Sequence, residues 1–165
     1  MDCAVRMTHA ATPEAVSHAA KRLARLAAVQ AIYQSVFAQQ PLEQIIRDAL
    51  DSGFESLNDG EANAAAVPEK PDVKLFVAIV QGVASHQEAM DEAIAAALDK
   101  KVSAGRLEML LRAILRAGAF EIRHHDQIPA GVVINDYVDV AHAFFNGKEP
   151  GLVNGVLDKL AGKLR

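Results

Sequence analysis

Asp136, Asp139 and His142 are spaced at i, i+3 and i+6 in a stretch with helical periodicity. The two carboxylates can share a face, but i+6 swings well round the axis, so three-point metal coordination is poorly arranged. A solvated polar face is the expected outcome for these residues. His124-His125-Asp126 forms a second polar cluster, read as a turn, in which sequence neighbours are badly placed to chelate together. Gly151-Leu152-Val153-Asn154-Gly155 has the glycines of a phosphate loop but lacks the preceding strand and the lysine. No Ser, Cys or Lys stands in a recognisable nucleophile setting. The expectation is a protein without catalytic residues, metal or cofactor.

The basic cluster near the start suggests binding instead. Lys21, Arg22 and Arg25 lie at i, i+1 and i+4, on one side of a helix that carries Gln30 and Tyr33 further along. Cations hold phosphates, while an amide and an aromatic ring can hydrogen-bond to unpaired bases and stack on them. An ordinary solvated face, with Tyr33 half in the core, uses the same residues. Residue types alone leave both readings open. The formal charge of −4 is unevenly spread: residues 1–40 carry four bases against two acids, and residues 41–72 carry eight acids against two bases. The remainder is balanced, so the acidity is concentrated in one stretch and the first helix is locally basic.

Helices must position these groups. Residues 1–16 lack sustained periodicity and are expected to form a mobile tail. Ser17 can cap a helix reaching about Gln39, with Leu26, Val29, Ile32, Tyr33, Val36 and Phe37 on its apolar face. Pro41 then opens a short helix carrying Leu42, Ile45, Ile46 and Leu50. Residues 51–71 read as a long acidic loop dividing the N-terminal helical pair from a C-terminal helical bundle. Periodicity returns at Val73, Phe76, Val77, Val80 and Val83, and again at Met90, Ile94 and Leu98, with Gly82 marking a bend or a close approach. Ser103 can cap the clearest helix, in which Leu107, Leu110, Leu111, Ile114, Leu115, Gly118 and Ile122 obey the helical rule. Further helices run from about Ala130 to Phe145 and from about Pro150, the last burying Val153, Val156, Leu157 and Leu160. The fold expected is all-α: a bundle of about seven helices in two sub-bundles sharing one core, with residues 17–165 as a single domain. A lone cysteine, no apolar signal segment and no apolar run of ~18 residues lead to the expectation of a cytoplasmic protein off the membrane.

Four tracts add a family resemblance. They are Ala24 to Tyr33, Leu75-Phe76 through Gly82-Val83, Arg112 to Arg116 through Glu121-Ile122, and Ile134-Asn135-Asp136 through Val153-Asn154-Gly155-Val156-Leu157-Asp158-Lys159. In order, spacing and wording they resemble the NusB family over roughly residues 20–50 and 72–163, and the Val-Asn-Gly-Val-Leu-Asp-Lys tract is the most specific.

The resemblance implies a transcription antitermination factor, monomeric or homodimeric. It would pair with ribosomal protein NusE, bind single-stranded boxA RNA and act with RNA polymerase and other Nus factors, notably in ribosomal RNA operons. It implies RNA contacts at Lys21, Arg22 and Arg25, with Gln30 and Tyr33 on the same helix, and at Lys148, Glu149 and Leu152 by the last helix. Arg116, a charge on a strongly apolar helix, would serve either packing or the protein partner. Two rivals stand beside this reading: the NusB-like helical domain of a ribosomal RNA cytosine methyltransferase, and a helical scaffold that keeps only a protein partner.

Overall fold

The computed structural model describes residues 17–57, 70–99 and 107–164. The expected tail, residues 58–69 of the acidic loop and Ser103 lie outside the described residues. Within them the chain is helical and carries no strand, with six α-helices against the expectation of about seven.

The first helix, α1 (His18–Ala38), starts where Ser17 adopts an extended backbone and its hydroxyl accepts from the Ala20 N–H at 3.0 Å. It stops at Gln39, which turns left-handed at φ 54°. Its inner face is built largely from alanines: Ala20, Ala24, Ala27, Ala28 and Ala31 are all buried beside Val29 and Ile32. Side chains this small let neighbouring helices come close to the α1 backbone. Pro41, with its fixed φ, leads into α2 (Leu42–Ser52), which buries Ile45, Ile46 and Ala49.

The start of the expected acidic loop is structured. Gly53 ends α2 at φ +66°, and a single 3-10 turn, Glu55–Leu57, comes next. Phe54 meets Phe76 edge-on at 5.0 Å and Leu57 is buried, so apolar side chains hold this segment to the core.

Asp72 caps α3 (Val73–Ala97) by accepting from the Leu75 N–H, while its own N–H donates to the Ala20 carbonyl of α1 at 3.0 Å. The two apolar stripes expected here belong to one helix with a kink at His86 (φ −124°, ψ 22°), whose ring nitrogen lies 2.9 Å from the Gly82 carbonyl. Gly82 is the close approach: a Cβ there would run into the Phe120 ring.

The next helix, α4 (Met109–His124), is capped by the Glu108 carboxylate. From Ala113 to Ile122 every residue is buried. A helix covered on all sides is the centre of a bundle, and α4 packs against α1, α3, α5 and α6. Gly118 admits Leu157 from the last helix, with no room for a Cβ. Pro129 opens α5 (Ala130–Phe144), and α6 (Glu149–Leu164) buries Val153, Val156, Leu157 and Leu160. One continuous apolar core joins all six helices. Among the described residues, no helix is long and apolar enough to cross a membrane.

Candidate nucleic-acid interface

Helical rotation separates Arg22 from Arg25 on α1. At about 100° per residue, Arg25 falls in the sector of Val29 and Ile32, while Arg22 falls with Leu26, Gln30, Tyr33 and Phe37. Arg25 is accordingly 1% exposed and lies inside the bundle. Its Nε donates to Glu121 Oε2 at 2.7 Å, Nη2 to Glu121 Oε1 at 3.1 Å, and Nη1 to Asp136 Oδ2 at 2.7 Å. Tyr137 donates its hydroxyl to Glu121 Oε2 at 2.7 Å, and the His125 ring nitrogen lies 3.1 Å from Glu121 Oε1. The expected RNA contact at Arg25 is corrected: its guanidinium is engaged by two buried carboxylates and presents nothing to a phosphate.

The network sets its own protonation. Burial pushes the Glu121 carboxyl up, but hydrogen bonds from His125 and Arg25, the Arg25 charge and the Tyr137 hydroxyl outweigh it, leaving the pKa below the ordinary carboxylate value. Burial works against the Arg25 charge, yet the Glu121 and Asp136 carboxylates raise its pKa and keep it protonated. Burial, with the Glu121 charge, drives Tyr137 well above its ordinary value, so it stays a neutral donor.

Asp136 is a second correction. It is buried, and takes Arg25 on one oxygen and His18 on the other at 3.1 Å, with the Arg22 Nε at 3.8 Å. Of the expected solvated trio, only His142 is exposed, and Asp139 is half-buried against Arg22. No group of three metal-ligating side chains occurs among the described residues. In the other polar cluster, His124 ends α4 and stacks on Phe120, with His86 at 4.5 Å. Burial, together with the charges of His86, Arg123 and His125, lowers the His124 pKa, which disfavours its charged form.

Arg22 is the exposed cation, with its side chain 47% accessible and its Nη2 donating to the Asp139 carboxylate. Lys21 beside it is half-buried. A cleft of about 450 Å³ opens between α1 and α5, lined by His18, Arg22, Leu23, Leu26, Asp139 and Val140. Further along α1, Gln30 and Tyr33 are half-buried, and the Tyr33 ring stacks on Phe37 at 5.6 Å and 17°. Phe37 and Val36, expected in the core, are exposed instead because the last turn of α1 runs past it.

Lys148, Glu149 and Leu152 sit on a separate element, the α5–α6 turn and the first turn of α6. Lys148 is exposed and Leu152 rests on the edge of the core. Glu149 is half-buried, with Oε1 beside Gly147 and no hydrogen-bond partner among the described residues. Arg116 is buried and donates two parallel bonds to Asp91 of α3 at 2.8 and 2.9 Å. Its Nε and Nη2 are engaged within the fold, which fits the packing alternative of the two expected for Arg116.

Sequence reasoning missed Glu121, Tyr137 and Phe37. A signal for Glu121 existed: an acid between Phe120 and Ile122 in an otherwise buried run requires a cation or a donor. Phe37 left none, since apolar spacing says nothing about where the core ends.

Comparison with known proteins agrees with this architecture. The model of the NusB family matches residues 22–162. Transcription antitermination protein NusB of Granulibacter bethesdensis is 43% identical over 147 residues, covering 86% of each chain. Its counterpart in Caulobacter vibrioides is 39% identical over 145 residues, covering 88% of this chain and 94% of the relative. Among solved structures, T. maritima NusB superposes with a TM-score of 0.67 at 26% identity, covering 87% of this chain and 91% of that one. NusB in a complex of antitermination factors NusB and NusE with double-stranded RNA gives 0.71 at 20% identity, over 89% and 99%, and shows the shared fold.

The buried network can be tested in two ways. Arg25→Met leaves Glu121 and Asp136 without their cation and should cost about 3–5 kcal/mol of stability in urea unfolding; a loss below about 1 kcal/mol would mean the carboxylates re-pair easily. The second test concerns acid. Because the folded pKa of Glu121 is depressed, its contribution is present above the unfolded value of about 4.3 and is lost as pH falls through the folded value. Glu121→Gln should therefore flatten the acid limb of a stability-versus-pH curve. An acid limb identical to the wild type would place the titrating group elsewhere.

Proposed function

The chain belongs to the NusB family, and on that premise we propose that it is a transcription antitermination factor that binds single-stranded boxA-type RNA together with ribosomal protein NusE and helps RNA polymerase resist premature termination. One observation carries this reading: relatives named as antitermination proteins align at about 40% identity over most of both chains.

The activity is binding without chemistry. Lys21 and Arg22 at the start of α1, with Lys148 before α6, supply the phosphate contacts, and Gln30 and Tyr33 meet unpaired bases. Glu149 and Leu152 flank Lys148, where a carboxylate can accept from a base amino group but repels phosphate. With Arg25 withdrawn into the core, the electrostatic share is small. Three cations, each neutralising one phosphate, give a log–log salt slope of about −2 on a single strand. NusE is then needed to add surface and to order the RNA.

Fluorescence anisotropy of a labelled boxA-type RNA tests this directly. The expected result is binding that tightens strongly with NusE and weakens with salt at a slope near −2, shallower by about 0.7 in Lys21→Ala. No binding with or without NusE would end the RNA-binding reading in favour of a protein-only scaffold. A second variant probes the ion pair on Arg22. Asp139→Asn releases the Nη2 end of that guanidinium from its ion pair, leaving only the longer Asp136 contact, and removes an acid from the face, so RNA should bind roughly 2- to 5-fold tighter at low salt, the scale of a surface ion pair. Weaker binding by this variant would show that Asp139 itself serves the RNA.

A further inference from the structure

The C-terminal half of α1 is chemically unlike its start. From Leu26 to Leu42 there is no charged residue, and the polar side chains are the amides of Gln30, Gln34, Gln39 and Gln40 and the hydroxyls of Tyr33 and Ser35. Into this uncharged surface the helix projects Phe37, at 66% the most exposed large apolar side chain among the described residues. One face of its ring lies against Tyr33 at 5.6 Å and only 17° from parallel. The pair forms a two-ring stack anchored at the Tyr33 end, since Tyr33 packs against the core.

From this geometry we propose that Phe37 is a nucleobase-stacking residue: an unpaired base of the bound RNA continues the Tyr33–Phe37 stack on the outer face of Phe37. The inference rests on the RNA-binding reading and extends its surface by one helical turn beyond Tyr33.

Placement supports RNA as the occupant. Arg22, Leu26, Gln30, Tyr33 and Phe37 fall within about 80° of one another around the helix. Arg22 and Phe37 are separated by fifteen residues, about 22 Å along the axis at ~1.5 Å per residue. A single strand lying along this stripe has its phosphates at the cationic end and its splayed bases at the end with rings and amides. The second ring also changes what the first can offer. Phe37 lies offset against Tyr33, which itself packs on the core, so the more open ring of the pair is Phe37. Stacking on a flat ring is tolerant of base identity, because every base has a π-face. The amide of Gln34, 3.2 Å from the Gln40 side chain, lies within one turn of Phe37 and is suited to a base edge.

The test uses the full-length protein with a single-stranded RNA carrying 2-aminopurine at successive positions, with and without NusE. Phe37→Ala should bind that RNA roughly 5- to 100-fold more weakly, with the salt slope unchanged because no phosphate contact is lost. Quenching at one position should disappear in Phe37→Ala and survive in Phe37→Trp. Thermal melting of both variants should match the wild type, since the ring lies outside the core. If the wild type binds and Phe37→Ala binds equally well, the inference fails while the antitermination reading stands. If Phe37→Ala binds RNA normally and loses only NusE, the ring belongs to a protein interface and the inference is overturned. A wild type that binds no RNA under any condition overturns both.

Discussion

A guanidinium sealed inside the bundle constrains everything around it. Arg25 from α1 reaches Glu121 on α4 and Asp136 on α5 at once, with Tyr137 completing the donors on Glu121. Such a cluster contributes no large net stability, because removing three charges from water costs about as much as their attraction returns. Its consequence is geometric. The planar fork accepts two carboxylates only along fixed directions, so α1 cannot rotate or slide without leaving charges buried and unpaired. Once that rotation is set, the neighbouring face is set too: Arg22 and Phe37 turn to solvent, while Leu26, Gln30 and Tyr33 lie half-buried at the margin of the core. The candidate RNA surface is the outer side of an inner ion pair.

The rest of the bundle cooperates with that constraint through small residues. Five buried alanines on α1 let other helices approach its backbone closely enough for a side chain as short as Asp136 to meet Arg25. Gly82 and Gly118 do the same for Phe120 and Leu157, so α4 is approached closely from two sides. A close-packed α4 keeps Glu121 dry, and dryness makes the carboxylate dependent on its donors.

Much of this is legible in the sequence, and the failures have physical causes. Periodicity and capping signals place Ser17, Gln39 and Pro41 correctly and mark Gly82 as a close approach, because helix ends are decided locally by backbone hydrogen bonds. Which cation faces solvent is not local. The i, i+1, i+4 spacing puts Lys21, Arg22 and Arg25 near one another, but only the neighbouring apolar stripe of Val29 and Ile32 reveals that one of the three points inward. Asp136 misleads for the complementary reason: an acid spaced like a surface residue is buried by a partner more than a hundred residues away in the chain. Phe37 shows the reverse error, a core-type residue on a turn that outruns the core.

The division of α1 into a charged start and an uncharged end bears on how such a surface discriminates. Phosphate contacts carry no sequence information and fade with salt, whereas stacking and amide contacts require bases that are unpaired and free to splay. With Arg25 committed to the core and Arg22 shared with Asp139, the proposed RNA surface has little charge at its start with which to hold a strand by electrostatics alone. A duplex, whose bases are already stacked on one another, gains little from the uncharged end. Weak phosphate attraction beside an open aromatic face therefore favours single strands and disfavours non-specific capture of duplex. On the proposed reading, the burial of one arginine removes a phosphate contact common to all nucleic acids and leaves selectivity to the far end of the same helix.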